Sequence, residues 1–391
     1  MSCKKDIALV LEESKGRFTI ETANLAKKED VFNFFQQAYA DQFNAADFQN
    51  SKDFSVRWEW ANVKNPNIED NEFPAWFCKD KESEEIVGHL GVIPVSINIK
   101  NSLYRAVWGR DMITPLKWRK KGIASFLFNT AMEKTKGKAA VFLLGGANDY
   151  AVAIYKKLGF IHLGYIPLYV RIIKFDTILQ NFIKSELLRN LLGLISKSLL
   201  CVFYIPSWLI RKMGEKNIYI KEVTSFDNSF DILWKKTASL FPIIVCRDSK
   251  SLSWRFIDQP YWDYKIFKVE DKENGELQGY FVLREGKSHG LSIGVVSDFF
   301  ASPEDTDTMI SMGKFIIRYF KEKGGIDLIR CDILSKSFER ILKKIGFIRV
   351  RSRSHFLVGN IDETIDSEFI RNRRNWFINY ADSDLDLSGQ R

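Results

Sequence analysis

The most informative segment of the sequence is Gly109-Arg-Asp-Met-Ile-Thr-Pro-Leu-Lys-Trp-Arg-Lys-Lys-Gly-Ile-Ala124. It predicts a strand that leads through a basic turn into a helix. A helix N-terminus presents unpaired N–H groups and a partial positive charge, and Gly122 with the small Ala124 lets an anion come close to that backbone. The cations at positions 119–121 strengthen the same field. The turn therefore suits a pyrophosphate, although an ordinary turn with a solvated basic rim would contain the same residues.

Predicted strands and helices alternate on both sides of this turn in the N-terminal half. Apolar periodicity, short apolar runs and glycine pairs indicate them. They are helix 28–41, strands 75–79, 86–99 and 104–114, helix 123–134, strand 139–144 and helix 149–158. Because hairpin strands are mixed with crossover helices, this order predicts an α/β fold with a mixed sheet and helices on both of its faces.

The C-terminal half repeats this order of elements. The predicted elements are strand 218–223, helix 226–239, strands 264–269, 277–283 and 292–299, helix 306–323, strand 327–332, helix 337–345 and closing strand 355–359. Two short signatures also recur. Arg57-Trp-Glu-Trp60 matches Ser253-Trp-Arg-Phe256, and Tyr155-Lys-Lys-Leu-Gly-Phe160 matches Leu342-Lys-Lys-Ile-Gly-Phe347. Internal duplication explains these observations most simply.

Chain length and composition predict the domain organisation. The chain has 391 residues, more than the roughly 250–300 at which single cores stop growing, so we expect two domains. The predicted segments are a first domain over 1–172, a basic and apolar helical connector over 173–215, a second domain over 216–362 and a tail over 363–391. In the tail we expect Trp376 to be an anchor. Whether Asp382, Asp384 and Asp386 bind a cationic amine or fray is left open.

The net charge of +9 favours anionic ligands without choosing among phosphates, acidic lipids and nucleic acid. Because the charge is dispersed and no nucleic-acid-binding motif accompanies it, we expect no nucleic-acid partner. In the connector, Arg189, Lys197 and Pro206 argue against a membrane-spanning helix. Residues 174–213 therefore predict an amphipathic helix packed between domains or, as the alternative, a peripheral membrane contact.

Cysteine and histidine usage predicts a protein of the reducing cytoplasm. The five cysteines lie far apart and form no C-x-x-C pair, so a disulfide framework is not expected. The four histidines are equally dispersed, and we expect no structural metal. The charged N-terminus lacks the apolar segment that export requires.

The turn does not stand alone, because matching residues follow at the next strand–helix junction. The matching residues are Arg119, Gly122, Ala124, Asn148, Tyr155 and Leu158-Gly159-Phe160. This pattern resembles the GNAT superfamily of acyl-CoA N-acyltransferases. The resemblance covers about 18–169 and, more weakly, 217–360, and so implies two tandem GNAT-like domains. It implies an N-acetyltransferase that moves the acetyl group of acetyl-CoA to the primary amine of a small molecule, such as an amino sugar or a cell-surface polysaccharide precursor.

The resemblance also implies the residues of the site. The cofactor-binding residues are Met112, Ile113, Thr114, Arg119, Lys120, Lys121, Gly122, Ile123, Ala124 and Asn148. Tyr155 is implied as the acid that protonates the leaving thiolate, although a core tyrosine would show the same helical spacing. The candidate bases are Asp111, which alternatively pairs with Arg110, and His89, which alternatively is a buried strand histidine. Asp149 is expected to be a helix N-cap.

The corresponding turn of the second half, Ala301-Ser-Pro-Glu-Asp-Thr-Asp307, contains three carboxylates and no glycine. Coenzyme A should be repelled there, so we expect a degenerate copy that shapes the acceptor pocket or supports the first domain. Two alternative functions remain open. One is an aminoacyl transferase of the peptidoglycan type with the same fold, and the other is a non-catalytic protein that binds acyl-CoA or a membrane surface.

Overall fold

The computed structural model describes residues 12–22, 28–40, 51–69, 74–146, 149–175, 177–178 and 216–386. These residues belong to two compact units. The first unit takes its residues from the chain up to 165 and from 258–260 and 353–373. The second takes them from 166–257, 261–352 and 374–391. Each unit has its own hydrophobic core.

The first unit is built on a mixed sheet with strand order β1-β2-β3-β4-β5-β15-β6. All described pairs in it are antiparallel except β4 with β5. Its elements are β1 (Phe18–Thr22), α1 (Lys28–Ala40), α2 (Ser51–Asn62), β2 (Ala75–Asp80), β3 (Ile86–Ile99), β4 (Ser102–Ile113), α3 (Ile123–Thr135), β5 (Val141–Gly145), α4 (Asp149–Lys157), β6 (Ile161–Tyr165), β15 (His355–Asn360) and α9 (Ser367–Arg371).

Helices cover both faces of this sheet. Alternate residues of a strand point to opposite faces, and on β2 Trp76 and Cys78 belong to the cluster that contains α3, whereas Ala75 and Phe77 belong to the cluster that contains α1. This confirms the predicted mixed α/β architecture. The helix α3 can begin close to β3 because Gly88 has no side chain, since a Cβ there would lie 2.6 Å from the Ile123 Cγ2 atom.

The second unit repeats the topology of the first. Its strand order is β8-β10-β11-β12-β13-β7-β14, again with one parallel pair, β12 with β13, at the same place in the order. Its elements are β7 (Leu168–Ile172), β8 (Ile218–Val223), α5 (Asn228–Thr237), β9 (Ile243–Val245), α6 (Ser249–Phe256), β10 (Lys265–Asp271), β11 (Leu277–Ser288), β12 (Leu291–Ala301), α7 (Thr306–Lys323), β13 (Leu328–Leu334), α8 (Lys336–Lys344), β14 (Ile348–Val350) and β16 (Trp376–Asn379).

The two short signatures of the sequence occupy equivalent places in the two units. Trp58 on α2 and Trp254 on α6 are both buried, with 2% of each side chain exposed. Gly159 and Gly346 end α4 and α8 with φ of 91° and 86°, a left-handed conformation that glycine adopts without strain. The repeated order of elements and these matching details agree with the predicted duplication.

Each unit contains one strand from the other half of the sequence. The strand predicted to close the second half, β15, instead pairs with β5 and β6 of the first unit, and β7 pairs with β13 and β14 of the second. The location predicted for strand 355–359 was therefore wrong. The reason is physical, because a strand with a given apolar pattern fits either of two equivalent gaps, and only the path of the chain selects one.

The C-terminal tail is anchored in the second unit. Trp376 is buried on β16, as predicted. Asp382 accepts hydrogen bonds from Arg247 at 2.8 and 3.0 Å, and Asp386 accepts one from Arg284 at 2.7 Å. These two carboxylates are thus buried and paired rather than frayed. Of the connector 173–215, positions 176 and 179–215 lie outside the described residues, and among the described helices none is long and apolar enough to cross a membrane.

Candidate active site

The central feature of the first unit is a gap between its two parallel strands. Ladder pairing of β4 with β5 extends only from Ala106 with Val141 to Trp108 with Leu143, although β4 continues to Ile113. Both strands run in the same direction, so their carboxyl ends diverge toward one edge of the sheet. Such an opening at the carboxyl ends of parallel strands is where α/β proteins bind ligands.

The turn that follows β4 has the geometry of an anion site. Gly122 is the N-cap residue of α3, with φ of 79°, and no side chain caps the helix. Lys120 also has a positive φ, 63°. Left-handed residues in a turn orient successive N–H groups toward one side, and the uncapped first turn of α3 adds the positive end of the helix dipole. A backbone of this geometry can bind a negatively charged group.

Basic side chains surround this turn. Arg119, Lys120 and Lys121 are exposed. The Arg119 Nε donates a hydrogen bond to the Thr114 carbonyl at 3.2 Å, and the Lys121 Nζ lies 4.3 Å from the centre of the Trp118 ring. These contacts hold the cations beside the helix N-terminus. Other residues that were predicted to bind the cofactor also lie along this path, since Met112 and Ile113 end β4 and Ile123 and Ala124 begin α3. Asn148 lies outside the described residues.

Asp111 lies in a bulge of β4. Asp111 and Met112 face the single residue Leu90 of β3, because His89 pairs with Ile113 and Gly91 with Arg110. The φ of Asp111 is 47°, an uncommon value for a residue other than glycine. The bulge aims the Asp111 carboxylate away from the ladder and toward α2.

Two guanidinium groups bind the Asp111 carboxylate. Arg57 on α2 donates to Oδ1 at 2.8 Å, and Arg110 donates to Oδ2 at 2.6 Å. Burial alone would raise the pKa of Asp111, but Arg57 and Arg110 outweigh it, so the pKa lies below its usual value. The carboxylate is therefore ionised and engaged on both oxygens. This geometry favours its alternative interpretation, a structural aspartate, over a general base.

His89 is fully buried beside this bulge. Its Nδ1 lies 2.9 Å from the Asp111 carbonyl oxygen, which only accepts, so Nδ1 carries the hydrogen and Nε2 is left as the acceptor. Nε2 has no hydrogen-bond partner among the described residues. The rings of Phe35 and Phe77 are centred 4.8 and 5.0 Å away. Burial first, and Arg110 second, lower the pKa of His89 to about 4, so the ring is neutral near pH 7.

Tyr155 lies on α4 with its ring in the core of the first unit. Its side chain is 7% exposed and packs edge-on against Phe128, with the ring centres 4.7 Å apart. Burial raises the pKa of Tyr155 well above its usual value. The phenol therefore keeps its proton and can donate a hydrogen bond over the whole physiological pH range.

Residues 19–163 match a family model described as an acetyltransferase (GNAT) domain. These residues form a GNAT domain. The parting parallel strands, the bulge and the glycine-opened helix described above all belong to it. The predicted family of this part of the chain is thereby confirmed. No curated protein matches the chain in sequence.

Solved structures with the same fold extend the GNAT likeness to most of the chain. A GCN5-related N-acetyltransferase from Anabaena variabilis has a TM-score of 0.58 at 12% identity, covering 88% of this chain and 73% of that one. The N-myristoyltransferase of Saccharomyces cerevisiae with bound myristoyl-CoA has a TM-score of 0.54 at 15% identity, covering 88% and 79%. A probable N-acyltransferase from Enterococcus faecalis has a TM-score of 0.56 at 11% identity, covering 88% and 73%. At these identities the likeness concerns the fold.

The GNAT domain also contains polar residues that the sequence did not point to as a group. Asp149 begins α4 and contacts His355 on β15, which in turn contacts His162 on β6. The two histidines are 193 positions apart, so no local pattern relates them. Among the described residues no group of three or more histidine, cysteine, aspartate or glutamate side chains has a geometry that would hold a metal ion.

Proposed function

We propose that this protein is an acyl-CoA-dependent N-acetyltransferase that modifies a primary amine of a small molecule. The observation that carries the proposal is the uncapped, glycine-opened N-terminus of α3 beside the gap between β4 and β5. A pyrophosphate bound at that N-terminus would leave the pantetheine arm beside the part of β4 that lies beyond its described ladder with β5. The donor supplies the thioester, and the description of the matched family supports acetyl as the acyl group.

The second unit supports a single donor site, because its equivalent helix is capped. Asp305 is the N-cap residue of α7, and its carboxylate accepts a hydrogen bond from the Thr308 N–H at 3.0 Å. Lys216 pairs with the same carboxylate. An internal carboxylate thus already fills the place that an anion would take. The end of β13 is also paired, since Ile333 and Leu334 form a ladder with β16 of the tail.

The residues beside the gap between β4 and β5 have different roles in the proposed reaction. In this proposal Tyr155 donates a hydrogen bond at the thioester sulfur, which its neutral phenol permits. Asp111 holds the bulge that directs the end of β4, together with Arg57 and Arg110. His89 supports that bulge through the Asp111 carbonyl. We therefore assign Asp111 and His89 to positioning the end of β4 rather than to proton removal.

Equilibrium titration with coenzyme A tests the anion site. Gly122→Glu adds a side chain and a negative charge where the diphosphate would lie, and we expect it to weaken binding at least about tenfold, or ~1.4 kcal/mol. Gly137→Glu is the matched control. It lies just beyond the other end of α3, has φ of 75° and has open space around its Cα. Equal affinities of wild type, Gly122→Glu and Gly137→Glu would contradict the proposal.

A thermal-shift screen with acetyl-, succinyl- and palmitoyl-CoA tests the acyl group, and thiol release with a panel of amines tests the acceptor. A shift with palmitoyl-CoA alone would move the proposal to a longer acyl group. Thiol release without any amine-dependent increase would favour the non-catalytic alternative, which flotation with anionic liposomes at low and moderate salt then checks. Transfer from aminoacyl-tRNA in place of acyl-CoA would favour the peptidoglycan-type alternative.

The proposal places the enzyme in the cytoplasm, where acyl-CoA is available. Three described cysteines, Cys78, Cys246 and Cys331, are buried and free, which supports a reducing compartment.

A further inference from the structure

Three titratable side chains of the first unit form a continuous hydrogen-bonded chain. The Asp149 Oδ1 lies 3.0 Å from the His355 Nε2, and the His355 Nδ1 lies 2.9 Å from the His162 Nε2. His355 is 7% exposed, whereas the Asp149 side chain is 90% exposed. This hydrogen-bonded chain thus connects a solvent-facing carboxylate to the buried imidazole of His355 and, through it, to the half-buried imidazole of His162.

Counting the protons on the ring nitrogens shows that this hydrogen-bonded chain of side chains holds one exchangeable proton. The Asp149 carboxylate accepts at one end, and a hydrogen bond with the Gly164 backbone favours the protonated His162 ring at the other. All contacts are therefore satisfied by three N–H protons, one toward Asp149, one between the rings and one toward Gly164. With three protons the pair of rings carries one positive charge, and with two it is neutral and can accept one.

This hydrogen-bonded chain of side chains ends at the same edge of the sheet as the proposed donor site. β4 and β5 are parallel, so the end of β5 lies on the same side of the sheet as the turn that follows β4. The Gly146 N–H, directly after β5, donates to the His355 carbonyl oxygen at 3.1 Å. Asp149 is the first residue of α4, the helix that also contains Tyr155.

We propose that Asp149, His355 and His162 form the proton relay of the acyl transfer, with Asp149 receiving the proton of the acceptor amine. This inference rests on the proposed function. As the amine nitrogen forms its bond to the acyl carbon, the C–S bond breaks and its electron pair leaves on sulfur. The proton lost by nitrogen passes to Asp149 and the imidazole pair, and the relay returns a proton to the thiolate. Asp149 is the catalytic residue, and His355 and His162 are positioning residues that act through it.

The acid–base properties of the neighbouring groups support this assignment. The raised pKa of Tyr155 makes the phenol a hydrogen-bond donor but a poor source of a proton for a thiolate, whose usual pKa is about 8.5. An imidazole matches the working pH much better. Burial, then Lys156, then His355 lower the pKa of His162, so this ring gives up an extra proton readily.

The charged and titratable groups that face the pair come from several elements. Lys156 of α4 and Arg373 act on His162 electrostatically. The Tyr165 ring is centred 4.4 Å from the His355 ring. The Arg373 guanidinium donates to the Tyr165 carbonyl oxygen. The two cations disfavour the doubly charged pair, which restricts the relay to one proton.

Histidine-selective ¹⁵N NMR of the full chain tests the relay without any substrate. We expect the ring nitrogens of His162 and His355 to titrate as a coupled pair, and Asp149→Asn to move the shifts of both. His289, which is exposed in the turn between β11 and β12, is the internal control and should not respond. Independent titration of the two rings, unchanged in Asp149→Asn, would overturn the relay.

Steady-state kinetics test the role of the relay in catalysis. The substrates are acetyl-CoA and the amine that gives the fastest thiol release in the panel. We expect kcat/KM of wild type to rise with pH as the pair loses its proton. Asp149→Asn and His355→Asn should lower kcat by about 10²–10⁴-fold and remove that rise, with the KM for acetyl-CoA unchanged. His289→Asn should behave like wild type. Because Asp149 is exposed, its variant should fold normally even if His355→Asn does not.

The outcomes separate this inference from the proposed function. If wild type binds no acyl-CoA, the proposed function fails, and the relay fails with it. If wild type binds and transfers the acyl group, but folded Asp149→Asn retains the wild-type kcat and pH profile, only the relay is overturned.

Discussion

Replacing Asp111 tests whether this carboxylate supports the bulge of β4 or removes a proton. Asp111→Ala would leave the Arg110 side chain, which is only 3% exposed, without its carboxylate partner. Breaking a buried ion pair on one side costs about 3–5 kcal/mol, and an alanine at a φ of 47° costs roughly 1 kcal/mol more. Asp111→Asn keeps the shape and tolerates this φ, so we expect a smaller loss of about 1–3 kcal/mol.

Urea unfolding followed by tryptophan fluorescence measures both losses, and its pH dependence checks their origin. Because the pKa of Asp111 is lower in the folded protein, its contribution to stability is present above the unfolded pKa of about 3.9 and is lost as pH falls through the folded value. Asp111→Asn should lack this acid-dependent loss. If Asp111→Asn has wild-type stability but has lost acyl transfer by more than about 100-fold, equivalent to ~2.7 kcal/mol of barrier, the residue is the general base and our interpretation is wrong.

Three further predictions concern buried groups elsewhere. Because the folded pKa of His89 is about 4 and the unfolded value about 6.5, the unfolding free energy should fall as pH decreases between these values, and His89→Gln should remove that dependence in urea titrations. Asp382→Ala should lower the unfolding free energy of the second unit by about 1.5–3 kcal/mol, seen by calorimetry, since the buried Arg247 guanidinium loses its hydrogen bonds to Asp382 and keeps only Asp298 as a carboxylate partner. Burial raises the pKa of Cys78 and of Cys246 to about 12, so neither thiol should react with DTNB at pH 8 until the protein unfolds; rapid reaction of the native protein would contradict this.

Much of the fold was predictable because it is encoded locally. The predicted helix 306–323 and strands 86–99 and 218–223 have the bounds found in the structure, since apolar periodicity and turn residues act within a few positions. Elements with weaker local signals were missed, among them α2, α6, β6 and β7. The apolar residues of these elements form a recognisable pattern only when a neighbouring sheet provides the apolar surface against which they pack.

The parts of the candidate site also differ in how far the sequence could predict them. The turn that begins α3 was predictable, because Gly122 and its basic neighbours are adjacent in the sequence. The environment of Asp111 was only partly so, since Arg110 is its neighbour but Arg57 reaches it from α2. The roles of the turn residues, Tyr155 and Asn148 remain predictions for the titrations above.

Residue types at short, fixed spacing specify the GNAT fold of the first half, its repetition in the second, and the glycine at the start of α3. The placement of β15 in the first unit, which brings His355 to His162 and Asp149, is visible only in the folded protein. Two equivalent gaps accept a strand of the same apolar pattern, and contacts between residues nearly two hundred positions apart depend on the path of the whole chain rather than on any local preference.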